Sequence, residues 1–205
     1  MKKETKNEQL ILEAAEIEFL EKGFKNAATT AIAKRAGVTH AMVHYYYRTK
    51  EKLFKMVFQK KVQMVGTSFE MVFHENSAFQ DIVRNLIEKH FDFIAENPQL
   101  MNFVYNEITS NADSRKLVLE VMAPKVKHVL SHLEKLIDGE VAKGLIKPVK
   151  LVDLMMNIVS MNLISVMALP VIKDVMPNQT DQYYIQFLKE RKESNIQFIL
   201  NALKV

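Results

Sequence analysis

Two pairs of histidines in this chain lie four residues apart, His40/His44 and His128/His132. On a helix that spacing puts both imidazoles on one face, as in many metal-binding pairs. The second pair lacks a third ligand: the chain has no cysteine and no HExxH run, so neither a metal nor a cofactor is expected. The first pair sits among other donors, in Thr39-HAMVHYYY-Arg48, with Lys50 just beyond. Hydroxyl, imidazole, phenol and ammonium groups can bond base edges in a major groove and phosphate oxygens along its walls. No glycine loop that could cradle a nucleotide phosphate is present, and no Ser/His/Asp arrangement can be argued. The chemistry on offer is recognition of nucleic acid, and an enzyme is not expected.

The elements needed to hold these donors are legible around them. Thr29 or Thr30 can cap a short helix whose small apolar face is Ile32, Ala33 and Ala36. Gly37 suits the left-handed turn that ends it, and Val38 can plug that turn into the core. Thr39 caps a second helix, His40 to about Tyr46, in which Thr39, His40 and Met42 stand nearest the bases and His44, Tyr45 and Tyr46 offer donors to phosphate. Tyr47 is read as a core aromatic. Thr49 caps a third helix with Lys50 in its first turn, where free N–H groups favour a phosphate. This is a helix-turn-helix pattern. Between Lys25 and Lys61 there are nine lysines and arginines against one acid, Glu51, whereas the whole chain carries only +4. The remainder is therefore net acidic, and the basic segment has the footprint of a DNA-binding face.

With 205 residues, 48% hydrophobic residues and only five glycines and five prolines, the composition fits an all-α fold with a large core. Apolar residues at three-and-four spacing mark about nine helices. A capping box at Thr5 and Glu8 opens the first, with Leu10, Ala14, Ile17 and Leu20 near one inward face that Ile11, Ala15 and Phe19 broaden, and Glu13, Glu16, Glu18 and Glu21 outward; Gly23 ends it. The fourth helix, from Lys50 to about Phe73, contains the boundary between two lobes. The fifth begins near Ser77 and presents Phe79, Ile82, Val83, Leu86, Ile87, His90, Phe91 and Ile94 on one face. The most apolar stretch, Leu151 to Leu169, is interrupted by Asp153, Asn157, Ser160, Asn162 and Ser165, which argues against a membrane span and for a helix partly covered by a second subunit. The absence of cysteine and of an apolar signal core fits a cytoplasmic protein.

Residues 10–54 resemble the N-terminal domain of the tetracycline-repressor (TetR) family of bacterial transcriptional regulators. The matching pieces are ILEAAEIEFLEKGF, T-x-x-IAKRAGVT and YYYRTKEKLF. The resemblance implies a three-helix helix-turn-helix domain (1–50) followed by a larger helical effector-binding and dimerisation domain (51–205). It implies DNA contacts by Thr29, Thr39, His40, Met42, Tyr45, Tyr46 and Lys50. His44 stands where the family usually has tyrosine and Ala41 where glycine is common; His44 can still donate to phosphate, and binding is expected to tighten at lower pH. The function implied is a homodimeric repressor released from a pseudo-palindromic double-stranded operator by a small-molecule effector. An activator or protein-contacting co-regulator is the alternative, and a helical enzyme a remoter one. Dimerisation is expected through residues 150–169 and 181–203. Effector-pocket candidates on apolar faces are Phe91, Ile94, Phe103, Val104, Met122, Val126, Met155 and Val159, with Glu107 either facing a cationic effector or, the plainer expectation, exposed to water.

Overall fold

The computed structural model describes residues 2–70 and 78–205, apart from the side chains of residues 2–5, 66, 68–70, 125 and 128. The described residues form helices throughout and fold as two compact units. One comprises Met1–Met64 and Gln99–Met122, the other Val65–Pro98 and Ala123–Val205.

The first unit contains α1 (Lys2–Asn26), α2 (Thr29–Ala36), α3 (His40–Tyr47), most of α4 (Lys50–Glu70), α6 (Pro98–Ser110) and the first third of α7 (Ala112–Ala142). Helix α1 already includes Thr5, so no capping box opens there; the Thr5 side chain lies outside the described residues. Gly23 does end its regular part. At φ 69°, ψ 173° it occupies backbone space open essentially to glycine alone. The buried face of α1 holds Ile11, Ala14, Ala15 and Phe19 as expected, but Glu18, expected in water, joins them, while Leu10 and Leu20 are half-buried and Ile17 is exposed. Glu18 can be buried because its carboxylate accepts from Lys22 at 2.7 Å and from the Ala28 backbone N–H, with Arg35 at 3.8 Å. The Lys22 hydrogen bond, above all, holds its pKa below the usual carboxylate range. The core of this unit is aromatic. Phe54 meets Phe19 at 5.2 Å, Phe24 at 4.9 Å, Phe58 at 5.6 Å and Phe103 at 5.8 Å between ring centroids.

The second unit is built on α5 (Phe79–Glu96), the rest of α7, α8 (Leu151–Met167) and α10 (Asp181–Leu203), with a short α9 (Leu169–Val175) between the last two. That helix, which opens at Leu169-Pro170, is one more than the nine expected, counted among the described residues. The ends expected at Phe73 and Ser77 lie outside the described residues. All eight residues expected on the inner face of α5 are buried. Of these, Phe79, Ile82, Val83, Leu86 and Ile87 join Leu133, Ile137, Leu154, Ile158, Ile196 and Ile199 in one apolar core, and α5, α8 and α10 pack pairwise around it. Among the described residues no single helix is long and apolar enough to cross a membrane; α8 and α9 together have the length and composition but are bent by 45°.

A polar network runs through this apolar core. Asn162 donates to the Ile87 carbonyl at 2.9 Å and to His90 Nδ1 at 3.2 Å, and accepts from Asn195 at 3.0 Å; Asn195 also donates to Ser165 Oγ at 3.4 Å. Burial lowers the His90 pKa to about 4 from its ordinary 6.5. The sign follows from linkage: above pH 6.5 both folded and unfolded rings are neutral. Between 6.5 and 4 the unfolded ring takes a proton that the folded one refuses, so acid favours unfolding. Stability is therefore expected to drop by about 3 kcal/mol between pH 7 and pH 4 through this group. Urea melts should show that drop in the parent and a smaller one in His90→Gln; parallel pH profiles would refute it.

Candidate nucleic-acid interface

Helix α2 begins at Thr29 with Ala28 at its cap and no side-chain capping bond, so neither Thr29 nor Thr30 plays that role. Thr29 Oγ1 lies instead 2.9 Å from His40 Nε2, tying the start of α2 to the start of α3. Gly37 closes α2 in the left-handed conformation, φ 67° and ψ 30°. Its N–H and that of Val38 return to the Lys34 and Ala33 carbonyls, which satisfies the helix end. Val38 is half-buried. Thr39 caps α3, its Oγ1 accepting from Met42 N–H at 3.3 Å. Val43 and Tyr47 anchor the helix in the core. The Tyr47 hydroxyl donates to the Glu8 carbonyl at 2.9 Å, and burial raises its pKa to about 12.

What remains of α3 faces outward. His40, Ala41, His44 and Tyr45 are exposed, and Met42 and Tyr46 are half-buried. The His40 and His44 rings meet edge to face at 4.7 Å, and those of Tyr45 and Tyr46 at 5.2 Å. His44 Nδ1 lies 3.0 Å from the Arg48 carbonyl. Beyond it, Thr49 Oγ1 accepts from Lys52 N–H at 3.2 Å, capping α4 as expected. Lys50 donates to the Lys25 carbonyl at 3.3 Å and sits 4.7 Å over the Phe24 ring. Sequence reasoning missed Arg48. It is the one described non-glycine residue with positive φ, a property that side-chain type does not announce.

The basic segment divides into structural and uncommitted charges. Arg35 binds Glu21 at 2.9 Å, Lys60 binds Glu16 at 3.3 Å, and Lys61 also binds Glu16. Among the described residues, Lys25, Lys34, Arg48, Lys50, Lys52 and Lys55 make no ion pair. The second group, from the last turns of α1 and α2, the turn after α3 and the first turns of α4, is the positive surface left to attract a polyanion.

The effector-pocket candidates are spread over both units. Phe91 and Ile94 are buried in the second, where Val126, Met155 and Val159 are half-buried; Phe103 is buried in the first, where Val104 and Met122 are half-buried. Glu107 is buried, not exposed, and accepts from Ser114 Oγ at 3.3 Å. The first unit also has a cleft of about 440 Å³ lined by Phe24, Phe54, Phe58, Ser114 and Leu117. Among the described residues no group of three or more His, Asp or Glu could hold a metal ion; the side chain of His128 lies outside them.

Comparison with known proteins accords with this geometry. Residues 11–57 match the family described as bacterial regulatory proteins, tetR family, and residues 80–199 match the tetracyclin repressor-like C-terminal domain. The chain belongs to the TetR family of transcriptional regulators. It is a DNA-binding regulator rather than an enzyme, of a family whose members bind operators and small-molecule effectors and are dimeric. Among its relatives is the fatty acid metabolism regulator protein of Bacillus subtilis (strain 168), 24% identical over 145 residues, 71% of each chain. The transcriptional activator FasR of Mycolicibacterium smegmatis is 26% identical over 97 residues, 47% of this chain and 44% of that one. The solved transcriptional regulator FadR of Bacillus subtilis, in complex with stearoyl-CoA, has the same fold, with TM-score 0.62 and 20% identity over 95% of this chain and 98% of that one.

Proposed function

We propose that the protein is a homodimeric cytoplasmic repressor that leaves a pseudo-palindromic operator when a long-chain acyl thioester binds its effector domain. The observation that carries the DNA half is the Thr39-capped helix behind a left-handed turn, with His40, His44 and Tyr45 turned outward and Lys50 at the next helix start. In this reading Thr39, His40 and Met42 meet base edges, Thr29, Tyr45, Tyr46 and Lys50 hold phosphates, and His44 holds one when its ring is protonated. Residues 1–50 read DNA and residues 51–205 bind the effector and dimerise. Support for dimerisation through α8 and α10 comes from their exposed apolar side chains: Val152, Met156 and Ile164 on the first, Ile185 and Phe198 on the second. Support for an acyl thioester comes from the relatives named for fatty acid metabolism and from the neighbour solved with stearoyl-CoA.

The test uses the full chain and an operator selected from a random duplex pool. Stearoyl-CoA at a hundredfold excess over its Kd is expected to release the DNA and raise the melting temperature by about 5–10 °C, with coenzyme A alone inert. No shift with stearoyl-CoA rules out this effector class. A monomeric mass on the operator rules out the dimer.

A further inference from the structure

The chain passes from α3 to α4 in two residues, Arg48 and Thr49. Arg48 has φ 63° and ψ −53°, and Thr49 N–H reaches back to the Tyr47 carbonyl at 2.6 Å. That is a γ-turn of the strained hand, which a residue with a Cβ keeps only where its surroundings impose it. The imposing group is His44. Arg48 N–H donates to the His44 carbonyl at 2.9 Å, and the Arg48 carbonyl lies 3.0 Å from His44 Nδ1. One residue thus binds the peptide groups on both sides of the turn. Thr49 and Lys50 follow at once, at the capped start of α4.

We propose that His44 is a positioning residue for DNA binding: its ring locks the Arg48 turn and thereby fixes the start of α4 against the outward face of α3. The proposal rests on the DNA-binding reading of that face. A carbonyl only accepts, so Nδ1 carries the hydrogen. In the neutral ring Nε2 is then a bare acceptor, unsuited to a phosphate oxygen. In the protonated ring Nδ1 keeps the lock and Nε2 becomes a charged donor. The lock therefore persists in both protonation states, and a phosphate contact is added only in the charged one. Against the His44 ring lies the His40 ring, itself held by Thr29 of α2, and the Lys50 charge is turned to the Lys25 carbonyl. Of the α2 charges, Lys34 is exposed and Arg35 is turned to Glu21. His40 is the other imidazole on this face.

The experiment measures affinity of the full-length protein for its selected operator against salt, at pH 8 and pH 6. His44→Phe is expected to bind about tenfold more weakly at pH 8, the effect of one hydrogen bond in each half of the dimer. His44→Asn, whose amide can donate to the same carbonyl, should recover most of the His44→Phe loss at pH 8. Arg48→Gly, which adopts the turn without strain, should erase most of the His44→Phe loss when the two are combined. From pH 8 to pH 6 the parent's salt slope should steepen by about 0.9 per protomer, and that of His44→Asn should not. An equal His44→Phe loss with and without Arg48→Gly overturns the lock. A steepening retained in His44→Asn assigns the proton to His40 and overturns the gated contact. Should His44→Phe fail to fold, His44→Asn decides: a tenfold loss at pH 8 overturns the proposal, parental affinity supports it. Lys50→Ala tests the underlying reading separately: an unchanged salt slope means that Lys50 does not meet the backbone and takes away its support for DNA binding by this face.

Discussion

Lys50→Ala is expected to bind every duplex about a hundredfold more weakly at 0.1 M salt, about tenfold for each protomer, with the preference among sequences unchanged. The ammonium is not a loose surface charge. It is held by the Lys25 carbonyl at 3.3 Å and the Phe24 ring at 4.7 Å, in the first turn of α4, where free backbone N–H groups also favour a phosphate. An ammonium already fixed loses little freedom on meeting DNA, so more of its attraction survives as affinity. Neutralising one phosphate fewer in each half should flatten the slope of log affinity against log salt by about 0.9 per protomer. Lys50→Arg should keep most of that slope. Fluorescence anisotropy across a salt series reads it directly; a parental slope in the alanine variant would mean that Lys50 never meets the backbone.

The second large effect concerns stability. Phe54→Ala should cost about 4 kcal/mol, in the range for truncating a buried phenylalanine. Phe54 meets four other rings, Phe19, Phe24, Phe58 and Phe103, at centroid distances of 4.9 to 5.8 Å. No one neighbour can collapse into a gap walled by rigid rings on α1, α4 and α6. Phe54→Leu keeps most of the volume and should cost clearly less, about 1–2 kcal/mol. Because Phe24 supports Lys50 and leans on Phe54, DNA affinity should fall even where the variant remains folded. Denaturant melts measure the first effect. A loss below about 1 kcal/mol would show that the cluster repacks.

The helix-turn-helix was legible because local chemistry dictates it: Gly37 for the left-handed turn, Thr39 and Thr49 for the caps, and Ile32, Ala33 and Ala36 for a small buried face. The inner face of α5 was legible for the same reason, a strong single-period stripe. Periodicity misled on α1, where it placed Glu18 in water. A carboxylate can be buried when Lys22 and the Ala28 N–H meet it, but those partners lie off the stripe. Thr29 was misread as a cap because its partner, His40, is eleven residues away. Glu107 was misplaced because its burial depends on Ser114 across a turn. The Arg48 turn left no trace in residue type. In each case the missing information was a polar partner, from four residues away for Glu18 to eleven for Thr29, which the apolar stripe does not report.

The first unit is assembled from two separate pieces of chain, and the later piece supplies Phe103, which lies 5.8 Å from Phe54 and 5.6 Å from Phe58. That bears on how such proteins can be recombined. A reading head cut out after residue 64 and fused to a foreign sensor would carry Phe54 and Phe58 without the ring that covers them. It would be sticky and poorly folded unless the sensor happened to supply a matching aromatic. A transplant that brings residues 99–122 along, or rebuilds the Phe103 side of the cluster in its new host, keeps the seam intact.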